Sequence, residues 1–142
     1  MLLDVLIALF LFILVATAYF SVYPVVRRSQ VMSQQETQAI QLSHRMLEHL
    51  QMLPVERLNL TTLKSLNLVN NDSGTEPYDF SHVPLDEASG YSPARLLPAG
   101  RGLFKVESIE NDCARVALEI EWRAPSGKIR KVTTGTIIGA YR

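Results

Sequence analysis

Asp4 holds the position that asks most of the chemistry. It is a carboxylate placed directly ahead of a run, Val5 to Val26, that contains no charged side chain. An ionised carboxylate in or beside hydrocarbon is unfavourable unless it is paired. Two readings are open. Asp4 either lies solvated in a headgroup zone near the positive end of a helix dipole, or it meets a cation brought by another chain. The three histidines, His44, His49 and His82, raise the question of a metal or a proton relay. His44 and His49 are spaced i, i+5, however, whereas neighbours on one helix face lie three or four apart. They read as solvated surface residues. The lone cysteine, Cys113, excludes an intramolecular disulfide, and one thiolate with scattered histidines falls short of a metal site. Its neighbour Asp112 should raise the thiol pKa rather than activate it. There is no GxSxG nucleophile motif and no phosphate-binding glycine loop. No metal, cofactor or catalytic residue is assigned, and the chain is not expected to be an enzyme.

The elements that carry these residues follow from composition and period. The chain has 142 residues, 47% of them hydrophobic, and a formal net charge of zero. That length fits one domain with an appendage. Balanced charge, with no basic run longer than Arg27-Arg28, gives no reason to expect direct nucleic-acid binding. Two sequons, Asn59-Leu60-Thr61 and Asn71-Asp72-Ser73, are short patterns of little weight.

About 20 apolar residues in a helix cross a ~30 Å hydrocarbon layer, and Leu2 to Val26 meets that length. A cleaved secretory signal would need a basic start, a shorter apolar core and a small-residue cleavage site. Met1-Leu2-Leu3-Asp4 is not basic and the run is longer, so residues 1–28 are read as a retained transmembrane helix in contact with lipid. Pro24 lacks a backbone donor and is expected to kink or locally unwind that helix about one turn before it. Arg27-Arg28, directly after the span, would place that end in the cytoplasm. A basic leader would reverse the vote, so charge alone leaves the topology open.

Residues 29–54 read as an amphipathic continuation of the helix. Ser29 to Leu53 lacks Pro and Gly, and Val31, Ala39, Ile40, Leu42, Met46, Leu47, Leu50 and Leu53 form a stripe at helical spacing. Pro54 ends the run. Residues 55–142 are then a globular domain. Within it, 55–68 holds another helical turn or two, and 70–102 is a loop dense in Pro, Gly, Ser, Asp and Asn. Strands occupy about 103–138. Val116, Leu118, Ile120 and Trp122 alternate with Ala117, Glu119, Glu121 and Arg123, as in a strand with one buried face. Ala124-Pro125-Ser126-Gly127 is the turn of a hairpin into Lys128 to Ile138. The fold class is α+β: a long N-terminal helix packed by its amphipathic half on a small antiparallel C-terminal sheet.

Three stretches in this order resemble one family. Leu3-Asp4-Val5-Leu6-Ile7-Ala8-Leu9 is similar to the opening of type IV pilins and type II secretion pseudopilins, where an acid follows a short hydrophobic tag. Gln41 to Leu50, through Leu53-Pro54, resembles the helix end of minor members. Glu119-Ile120-Glu121-Trp122, Ser126-Gly127-Lys128 and Val132-Thr133-Thr134 look like their closing hairpin. The 70–102 loop lies outside the resemblance. It implies a minor pilin or pseudopilin of a type IV pilus, type II secretion or DNA-uptake filament, acting in filament assembly or initiation. A prepilin peptidase would remove a basic leader after a glycine, and the new N-terminus would be methylated. Asp4 would then neutralise the terminal amine of a neighbouring subunit. The implied partners are other pilin-like subunits and the inner-membrane assembly platform. The implied place is the cytoplasmic membrane, single-pass, with the C-terminal domain outside the cytoplasm or in a filament. The chain departs from the family in three ways. The leader and its glycine do not appear in the sequence. The acid is an aspartate at position four where the family has a glutamate at the fifth mature position, a spacing that one residue ahead of Met1 would restore. Pro24 lies slightly beyond the proline of major pilins. The alternative is a single-pass, membrane-anchored binding or accessory module with an exposed β domain.

Overall fold

The computed structural model describes residues 2–86, 91–110 and 113–139. Its first element is a single α-helix, α1 (Leu2–Gln51). Contacts divide the chain into two units at Gln34/Gln35. The composition changes earlier, at Arg27-Arg28, but Gln35 is the first side chain of the helix to be buried.

In the first unit the helix is all there is. Its large apolar side chains from Leu2 to Val26 remain between 47% and 80% exposed. α1 stays α-helical through Pro24. The proline leaves one carbonyl, that of Phe20, without its amide donor, a loss that a single helix absorbs without breaking.

In the second unit the rest of α1 packs on a four-stranded antiparallel sheet. A 3-10 turn (Val55–Arg57) and α2 (Leu60–Ser65) follow α1, then β1 (Tyr78–Asp79), α3 (Pro93–Leu96), β2 (Arg101–Glu110), β3 (Cys113–Arg123) and β4 (Ile129–Gly139). The strands lie in the order β1-β2-β3-β4. α1 buries Ala39, Leu42, Met46, Leu47 and Leu50, a seam at steps of three and four. Against it β3 turns Ala114, Val116, Leu118, Ile120 and Trp122, all buried, with Phe104 of β2 and Ile138 of β4. Ile40 of the expected stripe falls off this seam and is 41% exposed. The hairpin turn is as the sequence indicates. Ala124 N–H donates to Lys128 O at 2.9 Å, Gly127 N–H donates to Ala124 O at 2.8 Å, and Gly127 takes φ +79°, where a Cβ is strained.

The 70–102 segment needs correction. It is not an open loop: it contains β1 and α3, and β2 begins inside it at Arg101. Phe80, Val83, Leu85 and Leu97 belong to the core. β1 escapes a periodicity reading because two residues, Tyr78 opposite Phe104 and Asp79 opposite Leu103, carry no period.

Candidate functional site

The apolar part of α1 is the feature with functional content. It is long and apolar enough to cross a membrane, and the apolar window is unburied. An isolated surface of this kind is far larger than soluble monomers expose. Its threonine and serine hydroxyls serve the helix itself. Thr17 Oγ1 donates to Ile13 O at 2.8 Å and Leu14 O at 2.9 Å, and Ser21 Oγ donates to Ala18 O at 2.8 Å. Both polar groups are thereby satisfied without water, as hydrocarbon requires. Asp4 lies in the first turn, beside the amide groups at the positive end of the helix dipole. Near the other end, Tyr19 stacks on Tyr23 with ring centroids 6.0 Å apart. Phe20 meets Tyr19 edge-on at 6.2 Å, and Arg27 and Arg28 follow, both exposed.

The other residues singled out by type are not brought together. His44 and His49 are exposed on α1, and a ring nitrogen of His49 lies 3.3 Å from Leu85 O. His82 sits elsewhere, its backbone N–H donating to Asn70 Oδ1 at 3.2 Å. Among the described residues no group of three or more His, Cys, Asp or Glu could hold a metal ion. Cys113 begins β3, half-buried, opposite Gly139 of β4. The influence expected from Asp112 lies outside the described residues.

Two arrangements escaped sequence reasoning. The first is a polar knot under a cleft of about 700 Å³ lined in part by Asn70, Asp72, Asp79 and His82. Asp79 Oδ1 accepts from Asn70 Nδ2 at 3.0 Å and from Ser81 N–H at 2.7 Å. Asp79 N–H donates to Ser73 Oγ at 3.1 Å. These bonds fix the loop; Asn, Asp and Ser satisfy backbone groups where no ladder exists. The second is the way α1 is held along β4. Gln51 Nε2 donates to Thr136 Oγ1 at 2.9 Å, and Glu36 lies 3.6 Å from Arg130. Arg45 similarly reaches Asp86 at 2.6 Å and covers the Tyr91 ring at 5.5 Å. Only the spacing of the hydrophobic seam hinted at these pairs.

Charges on the sheet surface are locally matched. Lys105 lies 2.9 Å from Glu107. That hydrogen bond holds the lysine above and the glutamate below their usual ranges. Lys131 lies 3.3 Å from Glu119. Such exposed pairs are worth little individually and mark a solvated face. Compared with family models, with curated proteins and with solved structures, the chain matches none.

Proposed function

We propose that the chain is a minor pilin or pseudopilin subunit, anchored in the cytoplasmic membrane by the first part of α1. It takes part in assembly or initiation of a type IV pilus, type II secretion or DNA-uptake filament. The observation that carries this reading is one helix, Leu2–Gln51, with an acid in its first turn and an exposed apolar surface beyond it. The same helix then supplies the seam on which the β domain is built. An anchor alone needs only the apolar segment. A helix continuing into the core of the domain suits a subunit whose helices pack side by side while its domains face outward. The partners are other pilin-like subunits and the assembly platform. A prepilin peptidase acts on any leader upstream, and the β domain lies outside the cytoplasm. No reaction and no direct nucleic-acid contact is assigned to the chain.

Asp4 is the assembly residue in this reading. Its carboxylate compensates the terminal amine of a neighbouring subunit inside hydrocarbon, where the alternative is an unanswered charge. Asp4→Ala should leave the protein inserted and folded but reduce its co-purification with partner subunits, while Asp4→Glu keeps most of it. Normal incorporation of Asp4→Ala removes the pairing role. It would favour the plain membrane-anchored binding module.

A further inference from the structure

The basic pair at the end of the apolar run has no counter-charge on its own helix. Neither Arg27 nor Arg28 makes an ion pair among the described residues, and no Asp or Glu lies within one turn of either. The next acid along α1, Glu36, faces Arg130 at 3.6 Å. Below the pair stands a ladder of rings. Tyr19, Tyr23 and Arg27 follow at i, i+4 and i+8, one face of the helix, and the two rings are stacked. Tyrosine rings favour the boundary between acyl chains and headgroups. Arginine reaches outward from there while its stem stays in apolar surroundings.

The spacing fits a bilayer. At the helical rise, Asp4 and Arg27 lie ~35 Å apart along the axis, slightly more than a hydrocarbon core of ~30 Å and less than the ~40–45 Å that includes headgroups. With Asp4 just inside one edge of the hydrocarbon, Tyr23 falls ~28 Å along, at the opposite edge, and the guanidinium groups lie at phosphate depth.

We propose that Tyr19, Tyr23 and Arg27 form a docking face for anionic phospholipid in the leaflet at that end of the span, with Arg28 adding its charge at the same depth from the adjoining side of the helix. The arginines bind the headgroup phosphate and its net negative charge, and the rings pack on the upper acyl chains and glycerol. Guanidinium matches phosphate oxygens in a bidentate fork. The inference rests on the membrane-anchored reading and adds a lipid preference to it.

The test uses the full chain in detergent micelles containing equal amounts of phosphatidylglycerol and phosphatidylcholine, with retained lipid counted by native mass spectrometry. A basic residue at an anionic surface is worth about a fivefold preference, so the pair should enrich phosphatidylglycerol by roughly 25-fold over phosphatidylcholine. R27Q/R28Q should bring the ratio close to one, and R27K/R28K should keep most of it. Equal retention of both lipids by the unaltered chain, or an unchanged ratio in R27Q/R28Q, overturns the proposal. Displacement of the lipid by millimolar inorganic phosphate also overturns it, since the site would then be one for free phosphate. Alkaline carbonate extraction of native membranes separates the two readings. Release of the chain sinks the anchor itself, whereas retention without lipid preference sinks only the docking site.

Discussion

Gly102→Ala is a small change with a calculable consequence. Gly102 lies in β2, buried, where the strand passes under the Phe80 ring. Its carbonyl accepts from Phe80 N–H at 2.9 Å, and its own N–H donates to Ser81 Oγ at 3.0 Å. A Cβ there would meet three atoms of the Phe80 ring at 2.6, 2.6 and 2.9 Å. Carbon atoms rest at about 3.5–4.0 Å, so the ring must move by roughly 1 Å. It has little room to do so, being fully buried with its centroid 6.0 Å from that of Phe104. Overpacking of this kind costs about 1–3 kcal/mol. Restricting the unfolded chain by replacing glycine returns about 0.4–1 kcal/mol. With all three contacts under 3.0 Å the upper half of that overpacking range applies, and the net destabilisation is about 1–2.5 kcal/mol, or a melting temperature lower by roughly 5–15 °C for a domain of this size. Near-ultraviolet circular dichroism of the full chain in detergent reads the melt through Trp122, buried in the same core. In a Phe80→Leu background the alanine should cost at least about 0.5 kcal/mol less, a coupling that contacting residues show. A neutral or stabilising Gly102→Ala, or equal costs in both backgrounds, would mean that Phe80 does not close over β2.

Asn59 caps α2 by accepting from Thr62 N–H at 2.8 Å. Asn59→Ala should therefore cost about 1 kcal/mol, with Asn59→Asp close to neutral, as read by thermal melts. Tyr78 is held above the usual phenol range first by burial, then by the charge and hydrogen bond of Glu76. Site-specific NMR titration should show it ionising above the ordinary value of about 10, and Glu76→Gln should lower its pKa without restoring that value. Because the folded-state pKa is the raised one, Tyr78's contribution to stability is complete below the unfolded pKa. It is lost as pH rises through the folded value; a Tyr78 that titrates at or below pH 10 contradicts this.

What was legible in the sequence is what has a period. The alternation of Val116, Leu118, Ile120 and Trp122 placed the buried face of β3 correctly, because one strand face meets α1 and the other meets water. The stripe on α1 gave the packing half of the helix but not its limits. Gln35 and Ser43 are buried there despite being polar, and burial of a helix face follows geometry before residue type. Within 70–102 the core residues Phe80, Val83, Leu85 and Leu97 are isolated in sequence. Phe80 is flanked by the side-chain hydrogen bonds of Asn70, Ser73 and Asp79, and Val83, Leu85 and Leu97 are set by backbone bonds to Phe80, Tyr91 and Pro93, none of which leaves a hydrophobic pattern to read. Of the candidate site, Asp4 and the basic pair stood out because a charge beside a long uncharged run is conspicuous. The Tyr19–Tyr23 ladder needed the helix register before it could be seen. Asp4's proposed role depends on a second chain, so a single subunit carries only its half of the chemistry.

Intact mass and N-terminal sequencing of the protein recovered from its native membrane test the proposed identity most directly. A processed, methylated N-terminus at or just ahead of Met1 is expected, with Asp4 close to the amine that it would complement in a neighbour. An unmodified initiator methionine at that position would contradict prepilin processing and leave a tethered β domain.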